Sequence, residues 1–186
     1  GNALKALGEI DKAIHYYKKA LLLDPKFFPT HFNLGNTYYV SGRINKSIEC
    51  FQKTLAINPN HFKSWNNLGM IFHYLGKDED VVNCYKRSIE INNLDPISYN
   101  NLANALQNIG QLRESENSCK KALELNKDYA PAYNTLGSIY QQRGAEAEAI
   151  RCFRKSLALE PNQHTHSNLL FSLNYEANIS QEEIYS

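Results

Sequence analysis

Leu68-Gly69-Met70-Ile71-Phe72-His73-Tyr74-Leu75-Gly76 is one of four versions of a nine-residue stretch that decides the fold. The others run from Leu34 to Gly42, from Leu102 to Gly110 and from Leu136 to Gly144, each one 34-residue period from the next. The closing glycine has a fifth copy at Gly8 in the same phase. Glycine makes up about 7% of ordinary protein sequence, so five in one phase would arise by chance on the order of once in ten thousand trials or less. The period is therefore a property of the chain, and it precedes every other inference.

Working outward, the rest of the unit keeps the same spacing. A small residue follows each leucine: Gly35, Gly69, Ala103 and Gly137. Later come Tyr17, Phe51, Tyr85 and Phe153, with Cys119 as the exception. Two registers of mostly small residues flank them, Ala13, Ser47, Val81, Ser115 and Ala149, and Ala20, Thr54, Ser88, Ala122 and Ser156. Pro25, Pro59 and Pro161 close their units, whereas Asn93 and Lys127 replace two other prolines, which predicts two softer helix ends. Apolar residues such as Leu68, Ile71, Phe72 and Leu75 stand at helical spacing. Each recurring glycine from Gly42 on follows one such helix and precedes another, where a left-handed stop favours a residue without Cβ. The small residue after each leucine lets a paired helix approach closely, and proline past the second helix prevents its continuation.

This pattern of Leu-Gly, Tyr, Gly, small, aromatic, small and Pro, in a unit of this length, resembles the tetratricopeptide repeat (TPR) family. The resemblance covers residues 1–174. It implies an all-α solenoid, a right-handed superhelix of antiparallel helix pairs, that binds proteins or peptides in a concave groove lined by the first helix of each unit. Helices are predicted near 10–24, 28–41, 44–58, 62–75, 78–92, 96–109, 112–126, 130–143, 146–160 and 164–174. A truncated repeat at 1–27 is followed by full repeats at 28–61, 62–95, 96–129 and 130–163, then by a last repeat helix at 164–174. Because Gly1 falls inside a repeat and is not methionine, the chain is expected to be part of something longer.

Twenty basic and 19 acidic residues leave no basic excess or stripe, which argues against nucleic acid as a partner. No apolar run approaches the roughly 20 residues of a membrane span. No secretory signal pattern begins the chain, and a cytoplasmic location is expected. Cys50, Cys84 and Cys152 share one phase, with Cys119 near it. Equivalent helices in adjacent units sit about 8–10 Å apart, too far for a disulfide, which needs Cα atoms within about 7 Å. Four reduced thiols without metal follow.

After Gln163 the register changes. Asn168-Leu169 matches the earlier Asn-Leu pairs one residue early, and Leu170 stands where a small residue belongs. A partner helix cannot pack closely there, so the repeats end. Ser180-Gln181-Glu182-Glu183 has the form of a capping box, which predicts a new, non-repeat capping or linker helix within 175–186. Phe171, on a groove phase, is expected to be covered by the segment after Asn174 folding back, or by a neighbouring molecule. A terminal cap for the solenoid accounts for this stretch. It also resembles, from His166-Ser167-Asn168-Leu169-Leu170-Phe171-Ser172-Leu173-Asn174-Tyr175 to Ile184, the junction between repeats and catalytic region in bacterial protein O-GlcNAc transferase (SPINDLY-like) proteins. That resemblance implies a glycosyltransferase parent whose catalytic region is not in this chain.

The groove phases are rich in asparagine. The phase before the recurring leucine carries Asn33, Asn67, Asn101, Thr135 and Asn168, and the phase before that carries Phe32, Asn66, Asn100, Asn134 and Ser167. An asparagine amide both donates and accepts, so a ladder of them can hold an extended peptide by its backbone. O-GlcNAc transferases carry a comparable ladder, and Thr135 interrupts this one. The chain's general richness in asparagine, at Asn45, Asn83 and Asn117 for example, is the competing explanation. A clamp for peptide carboxylates would need cations on these phases, and Lys63 alone is near. His31, Trp65, Tyr99, Tyr133 and His166 share a phase better suited to packing than to stacking a ligand. His164-x-His166 lacks a second ligand pair. There is no nucleophile motif or phosphate loop, so the chain is expected to bind and not to catalyse, with no cofactor. A stand-alone adaptor and the recruiting arm of a glycosyltransferase both fit.

Overall fold

The computed structural model describes residues 9–185, and side chains for residues 9–175. Among the described residues there are ten α-helices and no strand: α1 Ile10–Leu23, α2 Phe28–Val40, α3 Ile44–Ile57, α4 Phe62–Tyr74, α5 Asp78–Ile91, α6 Pro96–Asn108, α7 Leu112–Leu125, α8 Ala130–Gln142, α9 Glu146–Leu159 and α10 Gln163–Tyr185. The first nine start where the periodicity places them and end one residue sooner. The chain divides into two compact units, Gly1–Asn93 and Leu94–Ser186. In the first, α2 pairs with α3 and α4 with α5, while α1 lies against α2. In the second, α6 pairs with α7 and α8 with α9, and α10 packs on α9.

Each pair is made by one turn. Gly76 has φ 68°, in the left-handed region. Its N–H donates to the His73 carbonyl at 3.0 Å and the Lys77 N–H to the Phe72 carbonyl at 2.9 Å. These are the paired bonds of a Schellman stop, which occupy carbonyls that a helix end otherwise leaves unsatisfied. The same bonds recur at Gly42, Gly110 and Gly144, all with positive φ. Gly8 lies outside the described residues.

The glycine after each leucine does different work. A Cβ at Gly35, Gly69 or Gly137 would stand 2.9, 2.7 or 2.6 Å from the ring of Phe51, Tyr85 or Phe153 respectively. Ala103 is the exception in sequence, and so is its partner: Cys119 replaces the aromatic ring, and both are fully buried in one cluster with Leu136 and Ile139. The two departures from the pattern compensate each other in volume, as close packing requires.

The small-residue registers also carry hydrogen bonds. Ser47 Oγ donates to the Gly35 carbonyl at 2.8 Å and Ser115 Oγ to the Ala103 carbonyl at 2.6 Å. Ser156 Oγ reaches the Ala130 carbonyl at 2.9 Å and Ser88 Oγ the Phe62 carbonyl at 3.2 Å. Serine here is small enough for close approach, and its hydroxyl ties the second helix to the first.

The expected softening at Asn93 and Lys127 does not occur. Helices α5 and α7 stop at Asn92 and Asn126 with φ −136° and −143°, like the proline-bearing units, which stop at Asp24, Asn58 and Glu160 with φ −137°, −130° and −147°. After α7 a side-chain turn supplies the reversal, as it also does beside the prolines after α1 and α3. Asp24, Asn58 and Asn126 each accept, through Oδ1, the N–H two residues on, at 3.1–3.2 Å. Asx turns of this kind offer the backbone an alternative to the helix, so proline is not needed after α7.

The chain end differs from expectation. Helix α10 continues without interruption through Asn174 and Ser180 to Tyr185, so the capping box starts no separate helix. No Gly or Pro occurs in Gln163–Tyr185, and in an uninterrupted helix the N–H groups that a capping box would satisfy already have partners. The segment after Asn174 does not fold back: Phe171 is 63% exposed and Leu170 51%. The early register is seen directly, because Asn162 caps α10 by accepting from the N–H groups of His164 (2.9 Å) and Thr165 (3.2 Å). The preceding first helix is capped at Tyr129, so α10 begins one position short of the full period.

Candidate peptide-binding face

All eight asparagine and threonine candidates lie on the first helices of their repeats: Asn33 on α2, Asn66 and Asn67 on α4, Asn100 and Asn101 on α6, Asn134 and Thr135 on α8, and Asn168 on α10. Thr135 and Asn100 are buried, each 4% exposed, and the others are half-buried.

Several of them bridge neighbouring first helices. In the first unit Asn67 Nδ2 donates to Asn36 Oδ1 at 2.7 Å. In the second, Thr135 Oγ1 lies 3.0 Å from Asn104 Oδ1 and 3.1 Å from the Pro131 carbonyl. Thr135 thus fills the bridging role of Asn67 and does not interrupt the row. Gln107 Nε2 donates to Ser138 Oγ at 2.8 Å and Gln141 Nε2 to Ser172 Oγ at 2.9 Å. Asn168 Nδ2 makes a longer bond to Asn134 Oδ1, at 3.4 Å. Among their partners, Asn36, Asn104, Ser138 and Ser172 share one phase, broken by Met70, and Gln107 and Gln141 share another. Their signal is a polar pair 31 residues apart, which a search at the repeat period passes over.

Asn33 and Asn101 behave otherwise. Neither side chain bonds to any described side chain, although both are half-buried. Asn100 goes further: its Oδ1 is enclosed and has no hydrogen-bond partner. A buried amide oxygen left in that state costs about 1–3 kcal/mol, and such a group in a native fold calls for a reason.

Asn100 lines a cleft of about 270 Å³ in the second unit, together with Asn104, Asn134, Thr135, Glu160 and His164 among others. No lysine or arginine lines it, and Glu160 is its one carboxylate. Nearby, the Tyr129 phenol is held above its ordinary pKa, by burial first and then by Asp95 and Glu160. In the first unit Phe32 occupies the phase of Asn100, and its ring packs on Phe51 and edge-on against His61 (centroids 4.7 Å apart). Burial, and then Lys63, lowers the His61 pKa.

The aromatic phase is structural where its contacts are seen. Trp65 Nε1 donates to the Pro59 carbonyl at 3.1 Å, and His31 Nε2 lies 2.8 Å from the Pro25 carbonyl, so each side chain pins the loop before its helix. His164 and His166 are exposed. Among the described residues no three His, Cys, Asp or Glu side chains converge as metal ligands would, and no helix is long and apolar enough to cross a membrane. The four cysteines are free thiols; burial pushes Cys84 and Cys119 up to about 12 and Cys50 and Cys152 to about 11.

Sequence profiles of known families match at 1–42 (TPR repeat) and at 28–61, 50–81 and 95–162 (tetratricopeptide repeat). No curated protein matches the chain significantly. Among solved structures, MamA is 26% identical, with 86% of this chain and 94% of that one covered and a TM-score of 0.78. YrrB, described as a TPR protein with an unusual peptide-binding site, is 22% identical over 95% of this chain and 88% of its own, with a TM-score of 0.74. The first TPR of Spaghetti, bound to the HSP90 peptide SRMEEVD, is 23% identical over 62% of this chain and 93% of its own, with a TM-score of 0.60. None of these three is a glycosyltransferase by its description, so the resemblance at 166–184 stands without support from them. A 34-residue unit of two helices, the glycine stop between them, and profile matches over most of its length place this chain in the family of tetratricopeptide repeat proteins.

Proposed function

We propose that the chain is a protein-interaction scaffold that holds extended peptide segments along the polar face of its first helices. The observation that carries this is the pair Asn33 and Asn101. Both are half-buried amides with no described side-chain partner, on the repeat phase that holds the bridged Asn67 in the first unit and Thr135 in the second. Each amide still has donors and an acceptor to offer a peptide backbone, and Asn67 keeps one donor and its oxygen after bonding Asn36. The peptide-binding site named for YrrB and the peptide bound to Spaghetti support this reading.

The affinity follows from the count. A net hydrogen bond contributes roughly 0.5–1.5 kcal/mol, so the two rungs of either unit contribute about 1–3 kcal/mol before the cost of ordering the peptide. A millimolar complex needs about 4 kcal/mol and a micromolar one about 8. Binding by the ladder alone is therefore weak and tolerant of sequence, as suits a surface that gathers many partners. The test is titration of a neutral Ser-Gly-Ala peptide into wild type and into Asn33→Ala/Asn101→Ala. Weaker binding to the variant with unchanged melting supports the reading; equal binding places partners elsewhere.

Two larger settings make the same use of this face: an adaptor with no linked enzyme, and the substrate-recruiting region of an O-GlcNAc transferase-like glycosyltransferase. The second rests on the resemblance at 166–184 and on the asparagine ladder. Finding whether the same gene encodes a nucleotide-sugar-binding α/β region decides between them.

A further inference from the structure

We infer that the cleft of the second unit is a specificity pocket for a cationic side chain, arginine above all, on the peptide that the scaffold holds; this rests on the peptide-binding reading above. Three observations converge. The Asn100 oxygen is enclosed, in a residue only 4% exposed, and it lacks a donor. The cleft that the Asn100 residue helps to line carries one carboxylate, Glu160, and no lysine or arginine. Its volume of about 270 Å³ falls just below the range of about 300–1,000 Å³ of pockets for drug-sized ligands, so it suits one long side chain.

The chemistry of the lining selects among side chains. Asn100 needs a donor. Glu160 favours positive charge and repels carboxylates, and the amide oxygens of Asn104 and Asn134 and the hydroxyl of Thr135 are already engaged in bonds between helices. A guanidinium brings five N–H donors and no acceptor. It can serve the buried amide oxygen while its charge faces Glu160, and hydrogen bonds with an ionised partner are about twice as strong as neutral ones. A peptide carboxylate would find no lysine or arginine here to answer its charge. The pocket is therefore opposite in sense to one built for an acidic peptide.

The test uses the whole chain labelled with ¹⁵N and three flexible Ser-Gly-Ala peptides that differ only at a central residue: Arg, citrulline or Glu. The expected order is Arg tightest, with about a tenfold advantage over citrulline and a larger one over Glu. The Asn100 side-chain amide signals should shift on addition of the Arg peptide. Asn100→Leu and Glu160→Gln should each remove most of the Arg advantage. Asn100→Leu should fold at least as stably as wild type, since it removes an unsatisfied group, and Glu160→Gln, at an exposed position, guards against a folding artefact. Equal affinity for all three peptides overturns the pocket and leaves the ladder standing. Binding of the Arg peptide alone, with Asn100 shifts, upholds the pocket and overturns the ladder. A preference for Arg that survives both substitutions overturns the pocket.

Discussion

Consider the substitution Gly137→Ala. The new methyl would stand 2.6 and 2.7 Å from Cε1 and Cδ1 of Phe153 and 3.0 Å from Cζ. Real carbon contacts do not come so close, and the ring cannot swing away, because Phe153 is fully buried. Overpacking of this kind costs about 1–3 kcal/mol, and the depth of the clash to an enclosed ring puts it near the top. Alanine in a helix interior gains up to about 1 kcal/mol over glycine, so the net loss is about 2 kcal/mol. With a denaturant slope of roughly 2 kcal/mol/M this lowers the urea midpoint by about 1 M. The pair Ala103 and Cys119 supplies the control. Gly137→Ala combined with Phe153→Cys rebuilds that pair, so the double variant should be less damaged than the sum of the singles by about 1–3 kcal/mol. Urea unfolding followed by circular dichroism, in a double-mutant cycle, measures this. A Gly137→Ala protein as stable as wild type, or strictly additive effects, would refute the packing account.

Glu116 accepts from Tyr140 at 3.2 Å, pairs with Lys120 at 2.7 Å and also pairs with Arg143. These contacts, the Lys120 hydrogen bond first, hold its carboxyl below the ordinary glutamate value. A depressed carboxylate stabilises the fold fully above the unfolded-state pKa and loses that contribution as pH falls through the folded one. Glu116→Gln should thus cost about 1–2 kcal/mol at pH 7, discounted because Lys120 and Arg143 are half exposed, and the gap to wild type should close as the pH falls through the folded-state value. A gap independent of pH would remove the ion network from the explanation. With thiol pKa values pushed to about 11 and 12 by burial, the folded protein should react slowly with a thiol reagent at pH 8, half-buried Cys152 first. After denaturation four thiols should titrate with or without reductant, and a reductant-dependent increase would show a disulfide. Asn67→Ala should lower stability by about 1 kcal/mol through loss of its bond to Asn36, whereas Asn101→Ala should leave thermal melting unchanged. Equal effects at the two sites would deny the distinction between bridging and free rungs.

Nine helices were legible because local chemistry and periodicity agree at each of them: a leucine-rich stripe, a left-handed glycine, and small residues where helices touch. The course of α10 was not, because a capping box states what can start a helix and says nothing about whether the preceding one stops. The firm end of α7 escapes a sequence reading for a related reason. Proline is the obvious terminator, while Asp24, Asn58 and Asn126, in a repeat-spaced series of their own, carry the turn. The asparagine row was visible, but a row read along one phase cannot reveal bonds that run from one phase of a repeat to another phase of the next. Thr135 looked like a gap for that reason, and the idle oxygen of Asn100 depends on enclosure that only the folded chain provides.

The bridges between first helices have a consequence for how such a protein can be rearranged. The glycine stops, the ring-to-glycine contacts and the serine ties all lie inside a single repeat, and would travel with it if repeats were shuffled. The bridges do not: Asn67 is matched to Asn36, Thr135 to Asn104, Gln107 to Ser138 and Gln141 to Ser172. In sequence, the position held by Asn36, Asn104 and Ser138 is Met70 in the 62–95 repeat, and a thioether is a poor acceptor. A transplanted repeat would keep its own fold yet arrive beside a neighbour that does not answer its amides. The linear order of the modules is thus written in polar side chains, and an engineer who reorders them must rewrite that row while leaving the hydrophobic interior alone.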